Sequence, residues 1–214
     1  MISSAGGVVR VAVVDYGAGN LVSIEQALAA AGAVVRRAVT AADFADADLL
    51  VVPGVGASAP AMHRLNEGGL VEPILAWTAA DRPFLGICLG MQLLFGRSDE
   101  DGATTLGVLP GLCVRLDDAP TLPHTGWNQV ERRRDHPAFE GIAPAADFYF
   151  VHSYVGRPDD DAVVLADTTH GRRFPSAVAS GRLLGVQFHP ERSGPDGLRL
   201  LANVVAGARG AGEP

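Results

Sequence analysis

The first half of the chain alternates short apolar runs with stretches whose apolar residues recur every three or four positions. Val8 to Asp15, Ala33 to Val39, Asp48 to Val52 and Pro83 to Ile87 are dominated by Val, Leu, Ile and Ala. Such runs predict strands of a parallel sheet covered on both faces. Between them, Ser23 to Ala31, Ala57 to Asn66 and Val71 to Ala80 carry helical periodicity, the first closed by Gly32 at its C-cap. The expected β-α-β-α series builds an α/β, doubly wound sheet with its ligand site at the carboxyl ends of the strands.

Beyond Gly96 the pattern changes. Strand-like runs separated by Pro, Gly and Asp replace the helices: Gly111 to Leu116, Trp127 to Arg132, Phe148 to Val155, Ala162 to Asp167, Pro175 to Ala179 and Leu183 to Phe188. These predict antiparallel strands. Asp196 to Ala206 reads as a closing amphipathic helix, and the ends, 1–7 and 207–214, read as frayed. No repeat and no long linker interrupts the chain, so residues 1–214 are expected to form a single domain.

The strand from Pro83 to Ile87 runs into an apolar helical pattern from Leu89 to Phe95, and Cys88 sits at the join. Gly86 and Gly90 flank it as G-x-C-x-G, the thiol counterpart of a nucleophile elbow, in which small neighbours let a strained turn push one side chain outward. A thiol at the amino end of a helix is favoured as thiolate. The N–H of Leu89 would be free to hold a developing oxyanion. The bland alternative is a buried structural cysteine.

A second signal lies 101 residues later, where an apolar strand ends in His189-Pro190-Glu191. In an extended segment residues two apart share a face, so the carboxylate could fix the imidazole tautomer and stabilise its protonated form. Cys88 as nucleophile, His189 as base and later acid, and Glu191 as orienting carboxylate follow. The third signal is Pro53-Gly54-Val55-Gly56. Glycines on either side of Val55 permit a peptide to rotate an N–H toward the site as a second oxyanion donor, typically worth ~3–4 kcal/mol of barrier.

Composition narrows the field. The net charge of −7 argues against nucleic acid as the main partner, and all 17 basic residues are Arg. Without Lys, a P-loop phosphate site, a pyridoxal Schiff base and a lysine general base are excluded. Arg132-Arg133-Arg134 reads as a solvated strand end. The two cysteines, Cys88 and Cys113, form no disulfide framework or C-x-x-C metal pair, so no metal or cofactor is expected, and Cys113 reads as structural. A cytoplasmic location follows from the free thiols and from the lack of a signal segment or an 18-residue apolar run. The chain, at 214 residues, is long enough to bury roughly 70 % of the surface of its unfolded form. His63, His136 and His170 read as solvated, and His124 and His152 as members of packed strands.

Gly86 to Gly90 together with His189-Pro190-Glu191 resembles the signature of the class I triad glutamine amidotransferases. Within them, Asp15 to Asn20, Pro53 to Gly56, Gly86 to Phe95, Gly126-Trp127-Asn128 and Phe148 to Tyr154 are similar to the glutaminase subunits of imidazole glycerol phosphate synthases, over roughly residues 10 to 205. The resemblance implies a flavodoxin-like amidotransferase fold, glutamine hydrolysis, and delivery of ammonia to a (βα)₈-barrel cyclase subunit in histidine biosynthesis. It implies the triad Cys88, His189 and Glu191. Leu89 and Gly54, Val55 and Gly56 match the oxyanion region, Gln92, His152, Ser153 and Tyr154 match positions that hold glutamine, and Asn20 and Tyr149 match the docking face. Two positions depart from the family pattern: Thr125 stands where Met is usual, and Arg192 where Lys is common. Two other readings make different demands. A glutaminase of another pathway would not carry both the Asp15 to Asn20 loop and the Tyr149 to Tyr154 segment, and a scaffold on the same fold would have lost its nucleophile or base.

Overall fold

The apolar runs of the first half form four parallel strands, β1 (Arg10–Val14), β2 (Val34–Ala38), β3 (Leu49–Gly54) and β4 (Phe84–Cys88), in a computed structural model that describes residues 7–209. The fraying expected at 1–6 and 210–214 lies outside the described residues. Strand β3 shows why both faces are apolar. Leu49 and Val51 pack into a cluster with Leu28 and Leu200, whereas Leu50 and Val52 pack on the other side with Leu65, Ile74 and Trp77. The covering helices are α1 (Leu21–Ala30), α2 (Ser58–Glu67), α3 (Val71–Ala79) and, at the end of the chain, α5 (Gly194–Ala208). Helix α1 starts two residues before the expected Ser23, because the Asn20 side chain caps it by accepting from the Ser23 N–H at 3.4 Å. Helix α5 continues through residues 207–208, so fraying does not begin at 207.

The second half supplies β5 (Arg97–Ser98), β6 (Gly111–Arg115), β7 (His124–Arg132), β8 (Ala146–His152), β9 (Tyr154–Pro158), β10 (Val164–His170), β11 (Arg172–Ser180) and β12 (Leu183–Val186). One nine-stranded sheet runs β2-β1-β3-β4-β12-β11-β10-β7-β8, and a three-stranded sheet runs β5-β6-β9. Strands β2 to β4 and β12 are parallel, and β12-β11-β10-β7-β8 is antiparallel throughout. The order 2-1-3-4 with β12 in fifth place is the flavodoxin-like arrangement, which sets its site outside the carboxyl ends of the parallel strands.

Two elements differ from the expectation, each for a long-range reason. The helix after Cys88, α4, spans only Leu89–Gln92 rather than reaching Phe95. The carbonyls of Leu93, Phe95 and Leu94 accept instead from the N–H groups of Leu106, Gly107 and Leu109, so no further helical turn can form. The run from Phe148 to Val155 is two strands, because the chain leaves the large sheet at Ser153 and joins the small one, where the Ser153 carbonyl accepts from Leu116 N–H at 2.9 Å. Among smaller differences, β5 has no sequence signal, β12 ends two residues early, and β10 and β11 extend into a tight hairpin around Gly171, whose φ is +76°.

Candidate active site

Cys88 closes β4 in a conformation that few side chains adopt, φ +53° and ψ −107°, at a cost on the order of 1–3 kcal/mol. The flanking glycines show what holds it there. A Cβ on Gly86 would lie 2.7 Å from the Gly90 carbonyl oxygen, and one on Gly90 would lie 2.8 Å from the Val52 carbonyl carbon. Helix α4 therefore rests directly on the backbones of β3 and β4, and only glycine fits at either contact. The elbow expected from G-x-C-x-G is present, with Cys88 5 % exposed. Because α4 is a single turn, its dipole supports a thiolate less than a longer helix would.

Strand β12 lies beside β4, with Val186 opposite Ile87, so the segment that follows it arrives next to Cys88. That segment is redirected. His189 N–H donates to the Tyr149 carbonyl at 2.8 Å, Ser193 Oγ donates to the His189 carbonyl at 2.6 Å, and Tyr149 N–H donates to Ser193 Oγ at 3.0 Å. Ser193 thus clamps His189 to β8, a contact with no mark in the sequence. Residues Pro190–Arg192 form a 3-10 turn, not the extended segment expected; the turn, not strand alternation, brings Glu191 Oε1 to 2.9 Å from His189 Nδ1.

The carboxylate can only accept, so Nδ1 carries the proton and Nε2 is the working atom. His189 Nε2 and Glu191 Oε2 are buried and have no hydrogen-bond partner among the described residues. Burial disfavours the imidazolium, but the interaction with Cys88 and the hydrogen bond and charge of Glu191 outweigh it, raising the His189 pKa to about 10.

Gly54 pairs in register with Cys88 across β3 and β4, which sets the Pro53 to Gly56 loop beside that thiol. Tyr16 Oη donates to the Pro53 carbonyl at 2.9 Å and pins the start of the loop, while Gly56, at φ +92°, turns its end. Val55 between them is exposed. Gly54, Val55, Asn20, His189, Glu191 and Arg192 line one narrow cleft of about 60 Å³. Leu89 opens α4, where N–H groups lack intrahelical acceptors.

The remaining expected residues divide into two groups. Gln92, His152 and Tyr154 form a buried polar chain behind Cys88: Gln92 Nε2 donates to the Tyr154 carbonyl at 2.8 Å and to Gln187 Oε1 at 3.1 Å, and Gln187 Nε2 lies 3.6 Å from Cys88 Sγ. His152 Nδ1 donates to the same Tyr154 carbonyl at 3.0 Å, and its Nε2 accepts from His124 Nδ1 at 3.0 Å. Burial, reinforced by the neighbouring imidazoles, depresses the pKa of His152 to about 3, and burial with repulsion from His170 depresses that of His124 to about 4. Ser153 contributes its backbone carbonyl to Leu116, as noted above. His124 and Gln187 belong to this chain although their sequence context assigns them no site role. Asn20 and Tyr149 are instead at the surface around the cleft, where the Arg192 guanidinium lies 4.1 Å from the Tyr149 ring centroid. Cys113 is fully buried in β6, and burial first of all pushes its thiol pKa up to about 12. No cluster of three or more metal-ligating side chains occurs among the described residues.

Known proteins of similar sequence and fold identify the family. The family model for glutamine amidotransferase class-I matches residues 12–208. The imidazole glycerol phosphate synthase subunit HisH of Symbiobacterium thermophilum is 48 % identical over 195 residues, covering 91 % of this chain and 92 % of the relative. That of Aromatoleum aromaticum is 45 % identical over 209 residues, covering 92 % and 98 %. Among solved structures, PurLQS from Thermotoga maritima superposes with a TM-score of 0.74 at 18 % identity, covering 94 % of this chain and 99 % of that one, a likeness of fold.

Proposed function

Since the chain belongs to the class-I glutamine amidotransferase family, within it to the HisH subunits of imidazole glycerol phosphate synthase, we propose that Cys88, His189 and Glu191 are the groups that hydrolyse glutamine. The observation that carries this reading is the meeting of a strained thiol at the end of β4 with a buried, carboxylate-held imidazole at the end of the adjacent β12.

The reaction proceeds in two halves. Cys88 thiolate attacks the side-chain amide carbon of glutamine, and the negative charge that develops on its oxygen is held by the Leu89 N–H and by an N–H of the Gly54 to Gly56 loop. The His189 imidazolium gives its Nε2 proton to the departing nitrogen, the C–N bond breaks, and ammonia leaves a γ-glutamyl thioester on Cys88. Neutral His189 then takes a proton from water, the hydroxide attacks the thioester, and the C–S bond breaks to restore the Cys88 thiolate beside the His189 imidazolium, while the new carboxylic acid loses its proton to solvent and departs as glutamate. Glu191 keeps Nδ1 protonated throughout, so that proton traffic uses Nε2 alone. Gln92, His152, Ser153 and Tyr154 support the pocket for the glutamine.

Ammonia in bulk water at neutral pH is mostly protonated and no longer nucleophilic, so the product is useful only to a docked acceptor. The relatives are named as subunits of imidazole glycerol phosphate synthase. The partner proposed here is the (βα)₈-barrel cyclase subunit, received on the face carrying Asn20 and Tyr149, in a heterodimer of the histidine pathway. The narrow cleft and the loop pinned by Tyr16 support low glutaminase activity in the lone chain, with the Gly54–Val55 peptide turning when partner and acceptor bind. Two free thiols fit a cytoplasmic location, and no helix among the described residues is long and apolar enough to cross a membrane.

Glutamate release from glutamine tests the reading, measured for the purified chain alone and mixed with a barrel cyclase subunit and its ribonucleotide substrate, with Cys88→Ala as control. Turnover confined to the mixture and lost in the variant is expected. Full turnover by the lone chain would refute the coupling, and turnover in Cys88→Ala would refute the nucleophile.

A further inference from the structure

The polar chain behind Cys88 has a direction that can be worked out from its fixed end. The Tyr154 carbonyl is an acceptor only, and it receives two donors, His152 Nδ1 at 3.0 Å and Gln92 Nε2 at 2.8 Å. Gln92 must therefore present its NH₂ group there, and the second proton of that group goes to Gln187 at 3.1 Å. Gln187 must answer with oxygen, because turning its amide over would set NH₂ against NH₂. Its own NH₂ is then left facing Cys88 Sγ at 3.6 Å. Gln187 is fully buried, so no water competes for this contact, and its backbone N–H is held by the Ser176 carbonyl at 2.9 Å.

Among the described residues the titratable groups facing the sulfur are His189, whose imidazolium also favours the thiolate, and Tyr16, and a further polar neighbour is the Val151 carbonyl at 4.0 Å. A thiol could donate to that oxygen, whereas a thiolate can only accept. An obligate N–H donor at shorter range therefore favours the thiolate over the thiol. We propose that Gln187, oriented by Gln92 and ultimately by the Tyr154 carbonyl, is a catalytic residue that holds the Cys88 sulfur as thiolate before glutamine arrives. This deepens the reading of Cys88 as nucleophile and rests on it. It also gives the buried imidazole His152 a consequence at the sulfur, since it shares the carbonyl that sets the polarity of both amides.

The test is the rate of alkylation of Cys88 by iodoacetamide as a function of pH in the full chain, read on the peptide that carries Cys88 so that Cys113 does not contribute. The variants are Gln187→Met, close in size without the donor, and Gln92→Met, which leaves Gln187 in place and removes its orientation. The midpoint of the rate profile is expected to move upward by about one pH unit in Gln187→Met, with roughly tenfold slower alkylation below the midpoint. The same direction and a smaller shift are expected in Gln92→Met. The high-pH plateau should not change, whereas altered packing around the sulfur would move the plateau. An unshifted midpoint in a folded Gln187→Met protein overturns the assignment. Should that variant fail to fold, an unshifted midpoint in Gln92→Met overturns it. Failure of the underlying reading looks different: wild-type protein alkylated at Cys88 that still releases glutamate in the complex rules out Cys88 as nucleophile, wherever the midpoints fall.

Discussion

Replacing Gly90 by Ala adds one methyl group at the most crowded point of the elbow. Its Cβ would lie 2.8 Å from the Val52 carbonyl carbon, with the carbonyl oxygen closer still, against the ~3.5 Å at which carbon atoms begin to attract. At least about 0.7 Å of movement is needed, and neither side can yield easily. Val52 is fully buried in β3 between two parallel neighbours, so α4 must lift and carry Cys88 with it. Overpacking of this kind costs on the order of 1–3 kcal/mol of stability, and a displacement approaching 1 Å at a nucleophile costs about a hundredfold in rate. Thermal unfolding should show a melting temperature lower by several degrees, and glutamate release in the partner complex should fall about a hundredfold while the chain still binds its partner. A Gly90→Ala protein with wild-type melting temperature and turnover would refute the claim that contact between α4 and β3 sets the position of Cys88.

Three further outcomes follow from the geometry. Glu191→Gln keeps the shape but can donate to His189 Nδ1 and impose the wrong tautomer, so turnover should fall about 10³- to 10⁴-fold with little change in melting temperature; a loss under tenfold would remove Glu191 from the triad. Tyr16→Phe leaves the buried Pro53 carbonyl without its donor and should cost about 1–3 kcal/mol in urea unfolding, and an unchanged urea midpoint would show that another group holds the loop. The chain should also be acid-labile through its imidazoles. His152, with a folded pKa near 3, takes up its proton on unfolding at any pH between that value and the usual 6.5, so its contribution is intact above 6.5 and is lost as pH falls. His124, near 4, acts in the same direction. His189, raised to about 10, acts in the opposite sense, its contribution intact below 6.5 and lost as pH rises toward 10. Well below pH 6.5, urea unfolding should weaken by about 1.4 kcal/mol per pH unit for His152 alone, and His152→Gln should remove that slope; an identical slope in the variant would contradict the assignment.

The turn at Cys88 and the His189–Glu191 pair were legible because each has an uncommon local sequence: two glycines about a cysteine for a turn that only glycine neighbours permit, and an imidazole two residues from a carboxylate. The parallel half of the sheet was legible because burial on both faces leaves almost nothing but Val, Leu, Ile and Ala in strands such as β1 and β3. What was not legible depends on partners remote in sequence. The short α4 is ended by the backbone of residues 106–109, and the division of Phe148 to Val155 at Ser153 follows from membership in two sheets. The meeting of His189 and Glu191 was expected from strand alternation but arises from a 3-10 turn held by Ser193 and Tyr149. Gln187 lay within a stretch whose importance was evident, yet its orientation is set by Tyr154, 33 residues away (187 minus 154). No local pattern carries that information.

The claim on which the rest depends is that glutamine is cleaved through a bond to Cys88. Rapid acid quenching of the partner complex during turnover, followed by mass analysis of the peptides, tests it directly. A γ-glutamyl group on the Cys88 peptide is predicted, absent from the Cys113 peptide and persisting longer when His189 is replaced by Asn. Turnover with no adduct on Cys88, or an adduct on another residue, would contradict the account.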